Sequence, residues 1–193
     1  VAEFRFNKET HEYFLGAQRM ESVTEVLGKS GISDYSFSSG EAMLRGSYVH
    51  MATEMIDRGT LDWDILDETL LPYCEAYKLF ISEKRPSVVI SEKPMYHPVH
   101  LFGGTPDRVV ILDGVLSLID YKSGAPNRGT KYQVAAYREL VKVNENVSCA
   151  KCYALHLRND GKYRLHLMEN YRQNYNVFLA ALTVERCKQE DRI

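Results

Sequence analysis

Hydrophobic and polar positions alternate from the start of the chain. Phe4 and Phe6 sit between polar neighbours, Asn7-Lys8-Glu9-Thr10 supplies turn formers, and Tyr13-Phe14-Leu15 returns, so the pattern predicts an opening β-hairpin. Ser22-Val23-Thr24-Glu25 is a capping box, with Ser22 as the cap and Glu25 reaching back, and it predicts a short helix ending near Gly28 to Gly31. Ser30 to Gly40 reads as a polar loop spotted with aromatic residues. Met43, Met51, Met55 and Ile56 take helical spacing over about 40–58, where Arg58-Gly59 stops the run. Leu66, Leu70, Tyr73, Tyr77 and Phe80 predict a second helix over about 64–84, closed by Arg85-Pro86.

Beyond Pro86 the period changes. Val88-Val89-Ile90 opens a β region, and Leu101 to Gly104 leads into Asp107-Arg108-Val109-Val110-Ile111-Leu112. Asp113-Gly114 is a tight hairpin turn, and Val115 to Lys122 is the returning strand. A loop from Ser123 to Gly129 precedes a helix over about 130–143. A second hairpin, 149–157 with 162–168, turns at Asn159-Asp160-Gly161, and a last helix covers about 170–188. This order predicts a mixed α/β fold, with a central mixed β-sheet and flanking helices. The expected organisation is one domain over residues 1–193, with residues 1–30 as an appendage to its core.

Composition changes this picture little. A hydrophobic content of 45% and a charged content of 26% are ordinary for a globular chain, and no apolar run is long enough to span a bilayer. The opening residues lack the basic-then-apolar pattern of a signal peptide. The expected location is therefore cytoplasmic, with no membrane partner. The net charge is −2, but the first 120 residues carry −8 and the remainder +6. A basic C-terminal part can supply a phosphate track, although acids gathered on solvated helices such as 62–75 would give the same asymmetry.

The chemistry concentrates on one hairpin. A two-residue turn at Asp113-Gly114 pairs residues whose numbers sum to 227, which sets Asp107 directly opposite Asp120. Cross-strand neighbours stand about 4.5–5.5 Å apart at Cβ. Two carboxylates that close repel, and a hard divalent cation such as Mg²⁺, Mn²⁺ or Ca²⁺ relieves the repulsion. Lys122 follows Asp120 by two residues and so faces the same side. There it can orient a metal-bound water or neutralise charge on a phosphate. A surface Asp–Lys pair is the plainer reading of Asp120-Tyr121-Lys122, but the apolar flank Leu116 to Ile119 suggests a central strand, where such charges are costly.

These residues resemble a known family. Thr105-Pro106-Asp107 followed by Asp120-Tyr121-Lys122 is similar to the signature of PD-(D/E)XK nucleases. Gln133-Val134-Ala135-Ala136-Tyr137 resembles the Gln-x-x-x-Tyr motif of the RecB-type group, and Arg45-Gly46-Ser47-Tyr48-Val49-His50 resembles its preceding helical motif. The order matches from about residue 20 to residue 165, and the N-terminal hairpin with Ser-Val-Thr looks like that of small phage-encoded exonucleases. The resemblance implies a restriction-endonuclease-like core, Mg²⁺ (with Mn²⁺ as substitute) and DNA as substrate. It implies catalytic roles for Asp107, Asp120, Lys122, Gln133 and Tyr137, and metal ligation by His50, Asp107, Asp120 and the Tyr121 backbone carbonyl. Glu54, four residues after His50, reads either as a ligand or as a solvated acid, and Glu92 either faces the site or does not. Arg45, Arg128 and Lys131 are candidates for phosphate contact, and His97 and His100 read as surface residues.

Four cysteines, Cys74, Cys149, Cys152 and Cys187, lack the spacing of the iron–sulfur cluster carried by some RecB-type relatives, so no iron–sulfur cluster is expected. Cys149 and Cys152 read as ordinary thiols, with a metal site as the alternative; a strand would turn them to opposite faces. An exonuclease in phage-type replication, recombination or repair is the leading expectation. The rivals are a structure- or sequence-specific endonuclease and a non-catalytic nucleic-acid-binding module. The implied partners are single- or double-stranded DNA, a recombinase, single-strand-binding or helicase protein, and further copies of the chain, in a bacterial or phage-infected cell.

Overall fold

The computed structural model describes residues 2–33, 40–124 and 126–190. Among the described residues, ten strands form two five-stranded sheets, accompanied by five helices. The central sheet holds β4 (Ser87–Ser91), β7 (Arg108–Leu112), β8 (Val115–Lys122), β9 (Lys151–Leu157) and β10 (Tyr163–Met168), in the order β10-β9-β8-β7-β4. Its β8–β9 pair is parallel and its other pairs are antiparallel. The hairpin turns at Asp113 and Gly114, both with positive φ, as a two-residue turn of this hand requires. The observed pairs run from Leu112↔Val115 to Arg108↔Ile119, the register expected from that turn.

Alternation then sorts the side chains onto two faces. Val109, Leu118 and Cys152 pack with α4 (Thr130–Glu145) and α5 (Tyr171–Glu190) in the larger core. Val110, Leu112, Ile119, Tyr121, Leu155 and Leu157 pack with α2 (Gly40–Asp57) and α3 (Leu71–Lys84) in the second core. Near-continuous burial of Leu118 to Tyr121 explains why β8 reads as an apolar run, since helices cover both faces. The result is a mixed α/β fold, a central mixed sheet flanked by helices, consistent with a restriction-endonuclease-like core.

The second sheet has the order β1-β2-β3-β6-β5 and contains β1 (Phe4–Asn7), β2 (Glu12–Leu15), β3 (Gln18–Ser22), β5 (Met95–Tyr96) and β6 (Phe102–Gly104). β3 was not anticipated, because its Gln-Arg-Met-Glu-Ser sequence has one apolar residue. It forms by pairing with β2 and, in parallel, with β6. The N-terminal 30 residues share a sheet with β5 and β6, and α1 (Val23–Lys29) puts Val23, Val26 and Leu27, all fully buried, into the larger core. The Ser22–Glu25 capping box is present with both hydrogen bonds.

Three expectations need correction. The helix expected from residue 64 begins at Leu71. The Asp62 side chain accepts from Asp64 N at 3.0 Å, and Asp67 accepts from Thr69 N at 2.8 Å. Such local bonds offer the backbone an alternative to helix, and Pro72 is tolerated in a helix only within its first turn. The acids of 62–70 therefore lie on an irregular segment rather than on a helix. His97 is buried, not on the surface. Its Nδ1 accepts from the amides of Val99 and His100 at 3.2 and 3.1 Å, and burial beside His100 lowers its pKa to about 4, which keeps that nitrogen an acceptor. Cys149 precedes β9 instead of lying on it, so both it and Cys152 enter the same core. The polar loop expected over Ser30 to Gly40 falls largely outside the described residues. No helix among the described residues is long and apolar enough to cross a membrane.

Candidate metal centre

Asp107 stands one step beyond the last paired residue of β7, across from Asp120 on β8. The Tyr121 amide of the facing strand donates to Asp107 Oδ2 at 2.6 Å, which fixes the carboxylate. Its Oδ1 lies 3.4 Å from His50 Nδ1, and Glu92 Oε1 lies 3.7 Å from the same nitrogen. One ligand atom from each of His50, Glu92 and Asp107 falls within 4.8 Å of the others, the one such group of three or more among the described residues. Glu92 follows β4 with φ of 45°, a left-handed backbone uncommon for a residue with a side chain, and its amide donates to Asp107 O at 3.0 Å.

Asp120 is fully buried beside this group. Its Oδ2 lies 2.8 Å from Lys122 Nζ, while its Oδ1 has no hydrogen-bond partner among the described residues. Lys122 Nζ donates to Gln133 Oε1 at 3.0 Å, and Gln133 Nε2 donates to the Tyr137 hydroxyl at 3.2 Å. The two α4 residues, four apart on one face, therefore form a relay of contacts that ends on the lysine. Gly104 leaves room for that face: a Cβ there would come within 2.8 Å of both Tyr137 Cε1 and Leu140 Cδ1.

The electrostatics are those of a crowded anionic site. Burial raises the Asp120 pKa to about 6, with Asp107 adding to the rise and Lys122 opposing it. Burial likewise raises Glu92, which His50 partly offsets. Burial opposes protonation of His50, but the Asp107 and Glu92 carboxylates outweigh it and push the imidazole up to about 10. Burial also opposes ionisation of Asp107, yet His50 and Lys122 hold it below its ordinary value. A proton on His50 thus supplies positive charge that this carboxylate group demands.

Three residues that sequence reasoning passed over lie directly behind the cluster. Arg108 is completely buried; its Nε donates to Asp57 Oδ2 at 2.8 Å, and its Nη1 to Glu92 Oε1 at 3.2 Å and to Asp107 O at 2.8 Å. The Tyr77 hydroxyl donates to Asp57 Oδ1 at 2.6 Å and meets the Tyr121 hydroxyl at 3.0 Å. Asp57 lies seven residues after His50, two turns along the same face of α2. The helix therefore touches the start of β7 twice, through His50 to Asp107 just before the strand and through Asp57 to Arg108 within it. That helical spacing, and a charged Arg in an apolar strand, were the available signals.

The remaining candidates have other partners or are exposed. Glu54 pairs with Arg58 at 2.8 Å rather than joining His50. Arg45 lies over the Tyr73 ring at 5.7 Å, Lys131 lies over Tyr132 at 4.9 Å, and Arg128 and Lys131 are exposed near the start of α4.

The donor set fits a hard divalent cation: carboxylate oxygens dominate, one imidazole is present, and a buried Asp120 oxygen lacks a partner. No protein-family model and no characterised protein sequence matches the chain. Among solved structures, the chain is similar to an alkaline exonuclease from Laribacter hongkongensis, with 15% identity, 90% of this chain and 92% of that one covered, and a TM-score of 0.42. It is also similar to a provisionally assigned exonuclease from Eubacterium rectale, with 13% identity, 77% and 66% covered, and a TM-score of 0.46. The dAMP complex of the Laribacter enzyme gives 18% identity, 90% and 92% covered, and a TM-score of 0.34.

Proposed function

We propose that the chain is a metal-dependent nuclease of the PD-(D/E)XK superfamily, of RecB type, that hydrolyses DNA phosphodiester bonds as an exonuclease. The observation that carries this reading is the buried Asp120 carboxylate, with one oxygen on Lys122 and the other unpartnered, next to the His50–Glu92–Asp107 cluster. The choice of exonuclease rests on the motif order in the sequence.

In this reading His50, Glu92, Asp107, Asp120 and the Tyr121 carbonyl hold Mg²⁺ or Mn²⁺. Such an ion supplies charge for the scissile phosphate and acidifies water. The chain's own groups do the rest. The Tyr121 amide and Arg108 keep the Asp107 segment and Glu92 in place before any ligand arrives. Lys122, aimed by Asp120 and Gln133, offsets negative charge that builds on a phosphate oxygen, and Tyr137 holds the Gln133 amide in the orientation this needs. Arg45, Arg128 and Lys131 contact the DNA backbone. A role in phage-type replication, recombination or repair, alongside a recombinase, single-strand-binding or helicase partner, follows from the same resemblance.

The test is a time course on end-labelled linear DNA and on covalently closed circular DNA, with Mg²⁺ or Mn²⁺. The reading expects the linear DNA to be degraded, the circle spared, and Asp120→Asn inactive while still binding DNA. Cutting of the circle would move the assignment to an endonuclease. DNA binding without turnover would reduce it to a binding module.

A further inference from the structure

The active face of the central sheet continues past Lys122 to the sheet edge. Parallel pairing sets His156 beside Lys122 and Ala154 beside Asp120. Antiparallel pairing then sets Arg164 beside His156 and His166 beside Ala154. Residues paired across strands share a face, so Asp120, Lys122, His156, Arg164 and His166 all lie on one side of the sheet. Neighbouring strands are about 4.8 Å apart, so the row from Lys122 to Arg164 crosses about 10 Å.

The inner part of this face is core: Leu118 and Cys152 are buried among residues of α4 and α5, and Met168 packs against them. The outer part is open. Arg164 and His166 are exposed, and Lys122 and His156 are half-buried. The His156 and His166 rings meet edge-on at 5.2 Å. Arg164 forms no ion pair among the described residues. Asp120, the acid in these rows, is fully buried, and Asp160 at the adjoining turn is tied to Arg158 at 2.7 Å. A solvent-facing cation and two imidazoles, free of acidic partners and continuous with Lys122, match an anionic chain rather than a neutral ligand.

We propose that this β8–β9–β10 strip is a docking track for the phosphate backbone of a nucleic-acid strand, with Arg164 as its cation and the His166 ring as a hydrogen-bonding group beside it, while the His156 ring, held by the Gly124 backbone, forms its floor. The proposal rests on the nuclease reading and names the path by which the strand reaches, or leaves, Lys122. The Lys122–Gln133 contact brings the first turn of α4 beside the inner end of the same strip.

The test measures fluorescence anisotropy of a labelled single-stranded oligonucleotide at several salt concentrations, in the Asp120→Asn background with Mg²⁺. Adding Arg164→Ala is expected to weaken binding about 3- to 10-fold and to flatten the slope of log affinity against log salt by about 0.7. Arg164→Lys should restore the slope. His166→Ala should weaken binding with less change in slope than Arg164→Ala, because it removes a hydrogen-bonding group and not the fixed cation. Lys84→Ala, on the helix that packs against the opposite face, should match the background. If the background binds and the unsubstituted chain cuts DNA, but both the Arg164 and the histidine variants bind like the background, the track is wrong and the nuclease reading stands. If the unsubstituted chain neither binds nor cuts DNA, both fall together.

Discussion

Replacing Asp120 by Asn should stabilise the metal-free protein while destroying the activity proposed for it. Asp120 is fully buried, and burial raises its pKa from the ordinary 3.8 to about 6. The folded state therefore holds the proton more tightly than the unfolded state does. Between about pH 4 and pH 6 folding takes up a proton, so stability falls as pH rises through this window, and above it the ionised carboxylate is a fixed cost. From the two pKa values the cost is roughly 3 kcal/mol at pH 8 and roughly half of that at pH 5. Asn carries no charge to desolvate, but its amide must sit beside Lys122, so a gain of roughly 1–3 kcal/mol is expected at pH 8. At this chain length that corresponds to a melting temperature roughly 3 to 9 °C higher. The assay is thermal unfolding in EDTA at pH 8 and pH 5. With Mn²⁺ the order should reverse, because only the unsubstituted site gains about 4.1 kcal/mol at a thousandfold excess of ion over its dissociation constant. A variant no more stable than its parent at pH 8, or one that gains more at pH 5 than at pH 8, would refute the reasoning.

Other consequences stem from the same geometry. Arg108→Met leaves Asp57 and Glu92 without their buried cation and should cost about 3–5 kcal/mol in denaturant unfolding, the range for breaking a buried pair; a loss below about 1 kcal/mol would mean that the pairs are not maintained. Gly104→Ala drives a methyl against Tyr137 and Leu140, and about 1–3 kcal/mol of stability should disappear together with some turnover; an unchanged melt would show that α4 yields freely. Mn²⁺ must displace the proton from His50, which is held up to about 10, so affinity should rise as pH rises from 6 to 9, with proton release visible by calorimetry in buffers of different ionisation heat. A pH-independent affinity would remove His50 from the ligand set.

How far the fold was legible tracks how local each interaction is. The β7–β8 register is set by a two-residue turn, and the Ser22–Glu25 cap by residues three apart, so both could be read directly. Strand β3 could not, because its partner β6 lies about 80 residues later and supplies the pairing that its own sequence does not favour. The start of α3 was misplaced because hydrophobic spacing through Leu66 and Leu70 says nothing about the Asp62 and Asp67 side chains bonding to their own backbone. At the candidate site, strand periodicity and hairpin arithmetic were enough to set Asp107 across from Asp120 with Lys122 on the same side. Glu92 and Asp57 were harder. Asp57 meets the cluster only through Arg108, while Glu92 touches both His50 and Arg108, and no short window of sequence contains the meeting of α2, β4 and β7 that brings them together. His97 looked exposed between two prolines because its value to the fold, accepting two amides inside its own turn, leaves no periodic trace.

The central claim is that this carboxylate group binds a cation and cuts DNA with it. One preparation, stripped with EDTA, can be titrated with Mn²⁺ while occupancy is monitored by calorimetry and cleavage of end-labelled DNA is measured in parallel. The account predicts no cleavage from the stripped protein, cleavage that rises with occupancy, and neither signal in Asp120→Asn. Equal cleavage before and after stripping, or full Mn²⁺ occupancy with no cleavage of single- or double-stranded DNA, would contradict it.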